Sequence, residues 1–381
     1  MTKKALRFDA GDNVAVALEA MPQGHKLALR RIARGETVFK YGHPIGTAAC
    51  DIEAGSYAHT HNISDPISNW KENYLYEFDP GQLRELDDSL LLSPQPRLFG
   101  YRRRNGLVGF RNHLVVLSTA VCANKIVSDI EYKFRDVVAI TNPSGCVILP
   151  NEVERIKAIM LGIARNPNVG GVIFAGLGCE SVDAEWFYNE VKDEKPCAFV
   201  RSQDYGSTEA AYAALEALVL DMRRELEGQE RVEAGVSDIC LGVKCGASDW
   251  TTAAASNPAI GVASDIIVKN GGVSLLGETV GWYGGEGVLT RQSRSKQTAD
   301  KVISLLSEMY DRAKMMGRSI EESNPAPGNI AGGISTLKEK ALGNVKKGGA
   351  APVEGALDFG EYPTGKGLYV VDNPGLDPLS L

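Results

Sequence analysis

His59-Thr60-His61-Asn62 brings two imidazoles within one residue of each other in a chain with only five histidines. In a strand, residues i and i+2 face the same side, so both rings would reach one metal ion or one substrate. Otherwise the segment is an exposed polar hairpin edge. Three cysteines form a second set, each just after a short apolar run: Thr119-Ala120-Val121-Cys122, Asn142-Pro143-Ser144-Gly145-Cys146 and Gly176-Leu177-Gly178-Cys179-Glu180. Each is expected at the start of a helix, whose amino terminus favours thiolate. The plain alternative is that cysteine serves there as a small buried hydrophobe. Arg111, in Gly109-Phe110-Arg111-Asn112, offers a guanidinium that would hold a carboxylate through two parallel hydrogen bonds, or else tie down a loop. The glycine-rich segments (Gly176 to Gly178, Gly284-Gly285, Gly332-Gly333) match neither a dinucleotide nor a P-loop fingerprint, and no Ser-His-Asp site is visible.

The elements that must position these residues alternate. Leu114 to Leu117, Val137 to Ile140, Val172 to Ala175 and Ala198 to Val200 are short apolar runs. Helical stretches separate them: about 123 to 134, 152 to 165 and 207 to 227, with another expected to open at Gly176 to Glu180. In the second of these, Val153, Ile156, Ile159, Met160 and Ile163 make one apolar stripe, and Asn151 with Glu154 resembles a capping box. Short apolar strands between helices imply a parallel sheet buried on both faces. In such sheets ligands bind at the carboxyl ends of the strands, where the cysteine loops and Gln203-Asp204-Tyr205-Gly206 fall. A second unit repeats the plan after residue 232, with strands near Asp238 to Val243 and Gly272 to Leu276 leading to Lys244-Cys245-Gly246-Ala247-Ser248-Asp249 and Glu278-Thr279-Val280-Gly281. Before both lies a β-rich module, residues 1 to 70, with strand-like runs Ala15 to Leu18, Lys26 to Leu29 and Thr37 to Lys40. The fold class expected is therefore α/β: a small β-rich module, a polar proline-bearing linker (71–98), and two mostly parallel α/β units (99–232 and 233–381). The tail from Ser323 shows no clear periodicity.

Bulk properties exclude several functions. A formal charge of −7 and the absence of a basic run interleaved with aromatics argue against a nucleic-acid or anionic-membrane partner. No apolar stretch approaches the ~20 residues of a membrane span, and the amino terminus is too charged for a signal peptide. Seven cysteines without framework spacing fit a reducing cytoplasm. Enzymes of this size are commonly homo-oligomers, so one is expected.

Cys50 to Gly55 with His59 to Asn62 resembles the SAF domain (β-clip-like) that begins altronate and galactarate dehydratases. The same family is resembled in Gly100-Tyr101-Arg102, Gly109 to Asn112, Asn166 to Val169, Gly176 to Glu180 and Lys244 to Asp249. It is resembled again in Asn257 to Gly261, Pro327 to Gly333, Glu339 to Gly343 and Asp372 to Gly375. The resemblance runs almost end to end and in the family's order. It implies metal-dependent dehydration of a small hydroxy or sugar acid to a 2-keto-3-deoxy acid, helped by Fe²⁺ or Mn²⁺. A sister branch, the sulfolactate sulfo-lyases, expels sulfite instead.

On that resemblance His59, His61, Lys244 and Glu278 are the expected catalytic residues, and Arg111, Asn112, Asn142, Ser248 and Asp249 the expected substrate contacts. His59, His61, Glu180 and Glu286 are the expected metal ligands. The alternative cofactor is an iron–sulfur cluster on Cys122, Cys146 and Cys179. Alternative functions are a sulfolactate-type C–S lyase and a catalytically silent sugar-acid-binding homologue. The chain departs from the family where Asn142 to Cys146 lacks a usual histidine, over Val147 to Asn151, at Gly281, over Trp250 to Ala255, and at Ala341. These departures fall in the expected cleft and bear on substrate identity. Relatives in the family continue with another glycine-rich segment where this sequence stops at Leu381, so the expectation is either a natural short form or an absent carboxyl end.

Overall fold

The computed structural model describes residues 5–19, 23–65, 70–322 and 324–373. Residues 66–69 at the end of the β-rich module and Pro374-Gly375 of the closing motif lie outside them, as does the side chain of Asn151. The amino-terminal module consists of strands β1 (Ala5–Leu6), β2 (Val14–Ala17), β3 (Lys26–Ala28), β4 (Thr37–Lys40), β5 (His43–Ala48), β6 (Tyr57–Ala58) and β7 (Ile63–Ser64). They form two antiparallel sheets, ordered β1-β2-β3-β6 and β4-β5-β7. Val14, Ala28, Ile32, Val38, Ile45, Ile52 and Ile63 fill the space between them.

The middle of the chain, residues 94–239, is a compact unit of its own. A small antiparallel sheet of β8 (Leu98–Arg102), β9 (Val108–Gly109) and, from the unit's far end, Val232–Ala234 precedes the main one. The main sheet contains β10 (His113–Ser118), β11 (Val137–Ile140), β12 (Val169–Gly176) and β13 (Cys197–Arg201), all parallel, in the order β11-β10-β12-β13. Alternation explains the layering. Leu114 and Val116 pack on one side with Ile126, Val127, Leu215 and Val219. Val115 and Leu117 pack on the other with Met160, Ala164, Phe187 and Val191. Each strand thus feeds two cores, which is why it reads as a continuous apolar run rather than an alternating one. The helix Pro150–Arg165 begins with proline in its first turn, after Leu149 as N-cap. Asn151 therefore lies inside the helix, and the expected capping box is absent.

The remaining segment, 240–373, forms one unit with the amino-terminal module. With Val232–Ala234 counted as β14, its sheet contains β15 (Cys240–Val243), β16 (Val273–Leu276), β17 (Val353–Leu357) and β18 (Gly367–Val371). All pairs are parallel, in the order β15-β16-β18-β17. The tail read as aperiodic thus supplies two strands and the helices Pro327–Ala331 and Leu337–Val345. The module's core continues into this segment through Ala253 and Leu342. Residues 70 to 93 cross it as an irregular strap. Trp70 is buried, and the backbone N–H groups of Leu75 and Glu77 donate to Glu286 and Thr290. Among the described residues no helix is long and apolar enough to cross a membrane.

Candidate active site

Carboxyl ends of adjacent parallel strands gather loops, and in the unit formed by the first and last segments three such ends meet. After β15 the chain gives Lys244 and Cys245, after β16 Glu278, and after β18 Asp372 and Asn373. Glu278 adopts φ +74°, a left-handed conformation that costs a non-glycine residue of order 1–3 kcal/mol and that clusters at functional sites. Its neighbours enforce it. The Gly277 N–H continues the ladder to Val243 O at 3.0 Å, and the Thr279 N–H donates to Asn373 O at 2.9 Å. The Thr279 hydroxyl donates to Asp372 Oδ1 at 2.8 Å.

The Glu278 carboxylate is buried and accepts the Cys245 N–H at 2.9 Å. Burial raises its pKa above the usual carboxylate range, opposed by that N–H and by the ammonium groups of Lys347, Lys340 and Lys244. A carboxyl held in reserve at a strand end, ringed by three lysines, can take a proton beside a bound anion.

A network runs outward from it. Cys245 Sγ lies 2.9 Å from Ser248 Oγ. The Asn329 side-chain N–H donates to Ser248 O at 2.9 Å, and Lys340 Nζ donates to Asn329 Oδ1 at 3.1 Å. The loop after Asn329 then reaches Ser335, whose hydroxyl lies 3.1 Å from His59 Nδ1. The Ser335 N–H donates to Glu339 Oε2 at 2.8 Å. One connected segment, 329–340, therefore touches the strand-end carboxylate network on one side and the amino-terminal module on the other.

On the module side the central feature is a buried ionic triad. Lys26 Nζ stands 2.8 Å from Glu339 Oε2 and donates to Gly333 O at 2.8 Å, while Lys40 Nζ stands 2.6 Å from Glu339 Oε1. All three side chains are at most 2% exposed. Burial pushes Lys26 down to about 8, against the pull of Glu339 and with the help of Lys40. Burial opposes the Lys40 charge too, but Glu339 outweighs it and raises that pKa. Burial would raise the Glu339 pKa, and the two lysines together bring it well below the ordinary range. Two ammonium groups share one carboxylate, leaving a net positive charge beside His25 and His59.

His59 and His61 do not face one side of a strand. Strand β6 ends at Ala58 and residues 59–62 form a tight turn, closed by the Asn62 and Ile63 N–H groups on His59 O at 3.0 and 2.8 Å. His59 is buried and His61 exposed, their rings 5.4 and 5.2 Å from the Tyr57 ring. The ring that His59 meets edge-on, at 4.9 Å, is His25. Burial, then Lys26 and His25, push the His59 pKa down to about 4.

Several expected residues serve the fold instead. Glu286 is buried at the start of the helix Glu286–Gln292 and accepts the Leu75 and Gly284 N–H groups, which holds the strap down. Asp249 caps the following helical segment, with Oδ1 accepting the Thr252 N–H at 2.8 Å and the Asp249 N–H returning to Thr252 Oγ1 at 3.0 Å. Ser248 and Lys244 remain beside Glu278, half-buried on the rim.

In the middle unit, Glu180 is wrapped by its own loop. Its carboxylate accepts the N–H groups of Leu177, Gly178 and Cys179 at 3.2, 2.7 and 3.0 Å, and the Thr119 hydroxyl at 2.8 Å. That tight loop delays the next helix to Ala184, capped by Asp183, so Cys179 is not at a helix start. Cys146 likewise precedes its helix by several residues, and only Cys122 lies in a first turn. Asn142 ties its loop to Thr119 O and Ser144. Arg111 and Asn112 stand at the amino end of β10, whereas Asn142 and Glu180 stand at the carboxyl ends of β11 and β12. In a parallel sheet these are opposite edges, so the four do not line one cleft. Asn112 is tied to Arg103 and to Leu226 O.

The expected metal ligands are not gathered either. Among the described residues no three His, Cys, Asp or Glu side chains are grouped so as to hold a metal ion. Within one unit that applies to His59, His61 and Glu286, and within the middle unit to Cys122, Cys146 and Cys179, whose thiols are exposed. Within each unit these donors do not fit either cofactor as a three-ligand set.

The sequence reading offers none of Lys26, Lys40, His25, Ser335 and Glu339 as a site residue, although Lys26 and Lys40 bound strand-like runs and Glu339 opens a family motif. One signal was available: Lys26 shares its strand face with the core residue Ala28, a position where lysine needs a buried partner.

Comparison with known proteins covers nearly the whole chain. Residues 3–66 match the model of the altronate/galactarate dehydratase SAF domain. Residues 100–227 match the D-galactarate dehydratase/altronate hydrolase second domain, and 236–381 the D-galactarate/altronate dehydratase C-terminal domain. An altronate dehydratase of Bacillus subtilis is 32% identical over 367 residues, covering 93% of this chain and 72% of its own. One of Escherichia coli is 32% identical over 387 residues, covering 97% and 75%. The (2R)-sulfolactate sulfo-lyase subunit beta of Chromohalobacter salexigens is 32% identical over 284 residues, covering 72% and 70%.

Proposed function

This chain belongs to the altronate/galactarate dehydratase family, and from that premise we propose that it dehydrates a small sugar acid to a 2-keto-3-deoxy acid, with Glu278 as the base. The observation that carries the assignment is the buried, left-handed Glu278 at a strand end, with Lys244, Lys340 and Lys347 around it. The lysines attract the substrate carboxylate and lower the cost of charge on it as the α-proton leaves. Glu278 takes that proton and, now a carboxylic acid, returns one to the β-hydroxyl, which departs as water; the enol left behind tautomerises to the ketone. Raising the Glu278 pKa towards that of a useful base is what burial contributes. The lysines oppose that rise.

Expulsion of sulfite from a sulfolactate-like substrate is a second reading, supported by the similarity to the sulfo-lyase subunit. It uses the same proton abstraction with a different leaving group. The test is a panel of altronate, galactarate, smaller aldonates and sulfolactate, with and without added Fe²⁺ or Mn²⁺, scored for 2-keto acid and for sulfite. A 2-keto-3-deoxy product lost in Glu278→Gln supports dehydration; sulfite release moves the assignment to the second reading. No turnover of any acid by folded protein overturns both and leaves a sugar-acid-binding homologue.

A further inference from the structure

Dehydration as proposed moves one proton through Glu278. The carboxylate takes it from C2 and releases it with the β-hydroxyl, so Glu278 is ionised again when the enol forms. Turning the enol into the ketone makes a C–H bond at C3 and breaks the enol O–H bond. An ionised Glu278 can accept the enol proton but cannot supply the one for C3. That step needs a second acid beside it.

Of the three lysines around Glu278, Lys347 is buried, whereas Lys244 and Lys340 are half-buried. The backbone of Lys347 is clamped. The helix Leu337–Val345 runs on into a 3₁₀ turn, Lys346–Gly348, which packs on the end of β16: a Cβ at Gly348 would sit 3.3 Å from the Leu276 side chain. Gln292 Nε2 donates to Gly349 O at 3.0 Å, and the Ala350 and Ala351 N–H groups rest on Asp265 Oδ1 at 2.9 and 3.0 Å. The side chain is aimed by Asn344, itself buried. Lys347 Nζ donates to Asn344 Oδ1, and Asn344 Nδ2 donates to Gly281 O at 3.3 Å. The Gly281 N–H in turn donates to Glu278 O at 2.8 Å. The lack of a side chain at 281 lets these groups meet, since a Cβ there would sit 2.4 Å from Asn344 Nδ2 and 3.4 Å from Glu278 Cδ. Asn344 thus ties the ammonium to the turn that presents the carboxylate. Lys340, by contrast, is held by two amide oxygens, Asn324 Oδ1 at 2.6 Å and Asn329 Oδ1 at 3.1 Å. Burial lowers the Lys347 pKa, which makes it a readier proton donor than a lysine in water.

We propose that Lys347 is the acid that protonates C3 of the enol, with Asn344 as its positioning residue, so that the ketone forms on the protein with its new hydrogen in one configuration. This rests on the dehydration reading. The electron pair of the C2=C3 bond takes a proton from Lys347 Nζ to make the C3–H bond. The enol O–H proton passes to the Glu278 carboxylate as the C2=O bond forms. Lys347 is left as the amine and Glu278 as the acid, and proton transfer between them restores both.

The test is turnover by the full chain in D₂O, with NMR of the product, whose two C3 hydrogens are inequivalent because C4 is chiral. The wild type should place deuterium in one C3 position. Lys347→Arg keeps the charge but is too weak an acid, and should spread the label equally over both as the enol escapes to solvent. Asn344→Ala should give an intermediate distribution, and Asn344→Asp, which keeps the accepting oxygen, a single position. By reversibility the wild type should also exchange that one hydrogen in an added 2-keto-3-deoxy acid, the one corresponding to altronate, and folded Lys347→Met should not. That second measurement decides the matter if Lys347→Arg forms no product. Equal labelling by the wild type overturns the proposal and leaves dehydration standing. So does a single configuration that survives in Lys347→Arg, or exchange that survives in Lys347→Met. A wild type that dehydrates no acid yet exchanges one C3 hydrogen sinks the dehydration reading and keeps Lys347 as the C3 acid; one that does neither sinks both.

Discussion

Lys26 and Glu339 are 313 residues apart in sequence and 2.8 Å apart in space, with no solvent exposure on either side chain. With Lys40 they join the amino-terminal module to the last segment through charge as well as through the shared apolar core. Breaking a buried pair from one side leaves an uncompensated charge, which costs about 3–5 kcal/mol. Glu339→Gln, leaving two lysines without a carboxylate, should therefore lower the unfolding free energy by that order, read as a fall in the urea midpoint. An unchanged midpoint would show that the triad contributes nothing net. The same carboxylate predicts an acid limb. Its folded pKa lies below its ordinary value near 4.5, so its stabilisation is present above about 4.5 and is lost as pH falls further. In Glu339→Gln that part of the limb should flatten.

Glu278 predicts the shape of the rate profile. Its pKa is raised by burial, so the base is fully ionised only above the usual carboxylate range, and kcat/KM should rise with pH through a limb displaced upward. Replacing Lys347 or Lys340 by Met removes an opposing charge and should move that limb higher still. Glu278→Gln should lower kcat by roughly 10²–10⁴ with the fold retained. A limb that stays put in both lysine variants would mean that Glu278 is not the titrating base.

Much of the architecture was legible because it is written locally. The run Val172 to Ala175 announces a strand buried on both faces, and the stripe from Val153 to Ile163 announces the helix beside it. The strand-end position of Glu278 was legible as well, from the run Gly272 to Leu276 before it. The triad was not: nothing near Glu339 in the sequence indicates that its partners are Lys26 and Lys40. The His59–His61 argument failed because it assumed a strand where Asn62 closes a turn on the His59 backbone, Oδ1 accepting the His59 N–H at 2.8 Å. The helix expected at Gly176 failed for a similar reason, since Glu180 takes for itself the backbone N–H groups that would have opened it. Strand β17 was missed because Glu354 and Gly355 interrupt its apolar pattern.

Gly24 is a position where backbone freedom is required. It has φ +90°, and a Cβ there would sit 1.8 Å from the Trp250 indole. Gly24→Ala should therefore destabilise by more than about 1 kcal/mol, combining a left-handed backbone penalty with a steric one. Adding Trp250→Ala should recover the steric part only, leaving the double variant less stable than Trp250→Ala alone. Full recovery in urea unfolding would mean that the backbone conformation carries no cost here.

Asn112 separates positioning in the fold from contact with substrate. Its Oδ1 accepts from Arg103 at 3.0 Å and its N–H donates to Leu226 O at 3.3 Å, at the amino edge of the middle sheet. Asn112→Ala removes both bonds and should cost about 1–2 kcal/mol of stability. KM for a turned-over acid should stay where it is, because the side chain is already committed to protein partners at the edge opposite the strand-end loops. If instead KM rises several-fold while the unfolding midpoint holds, Asn112 contacts the substrate, and the amino edge of that sheet belongs to the active site after all.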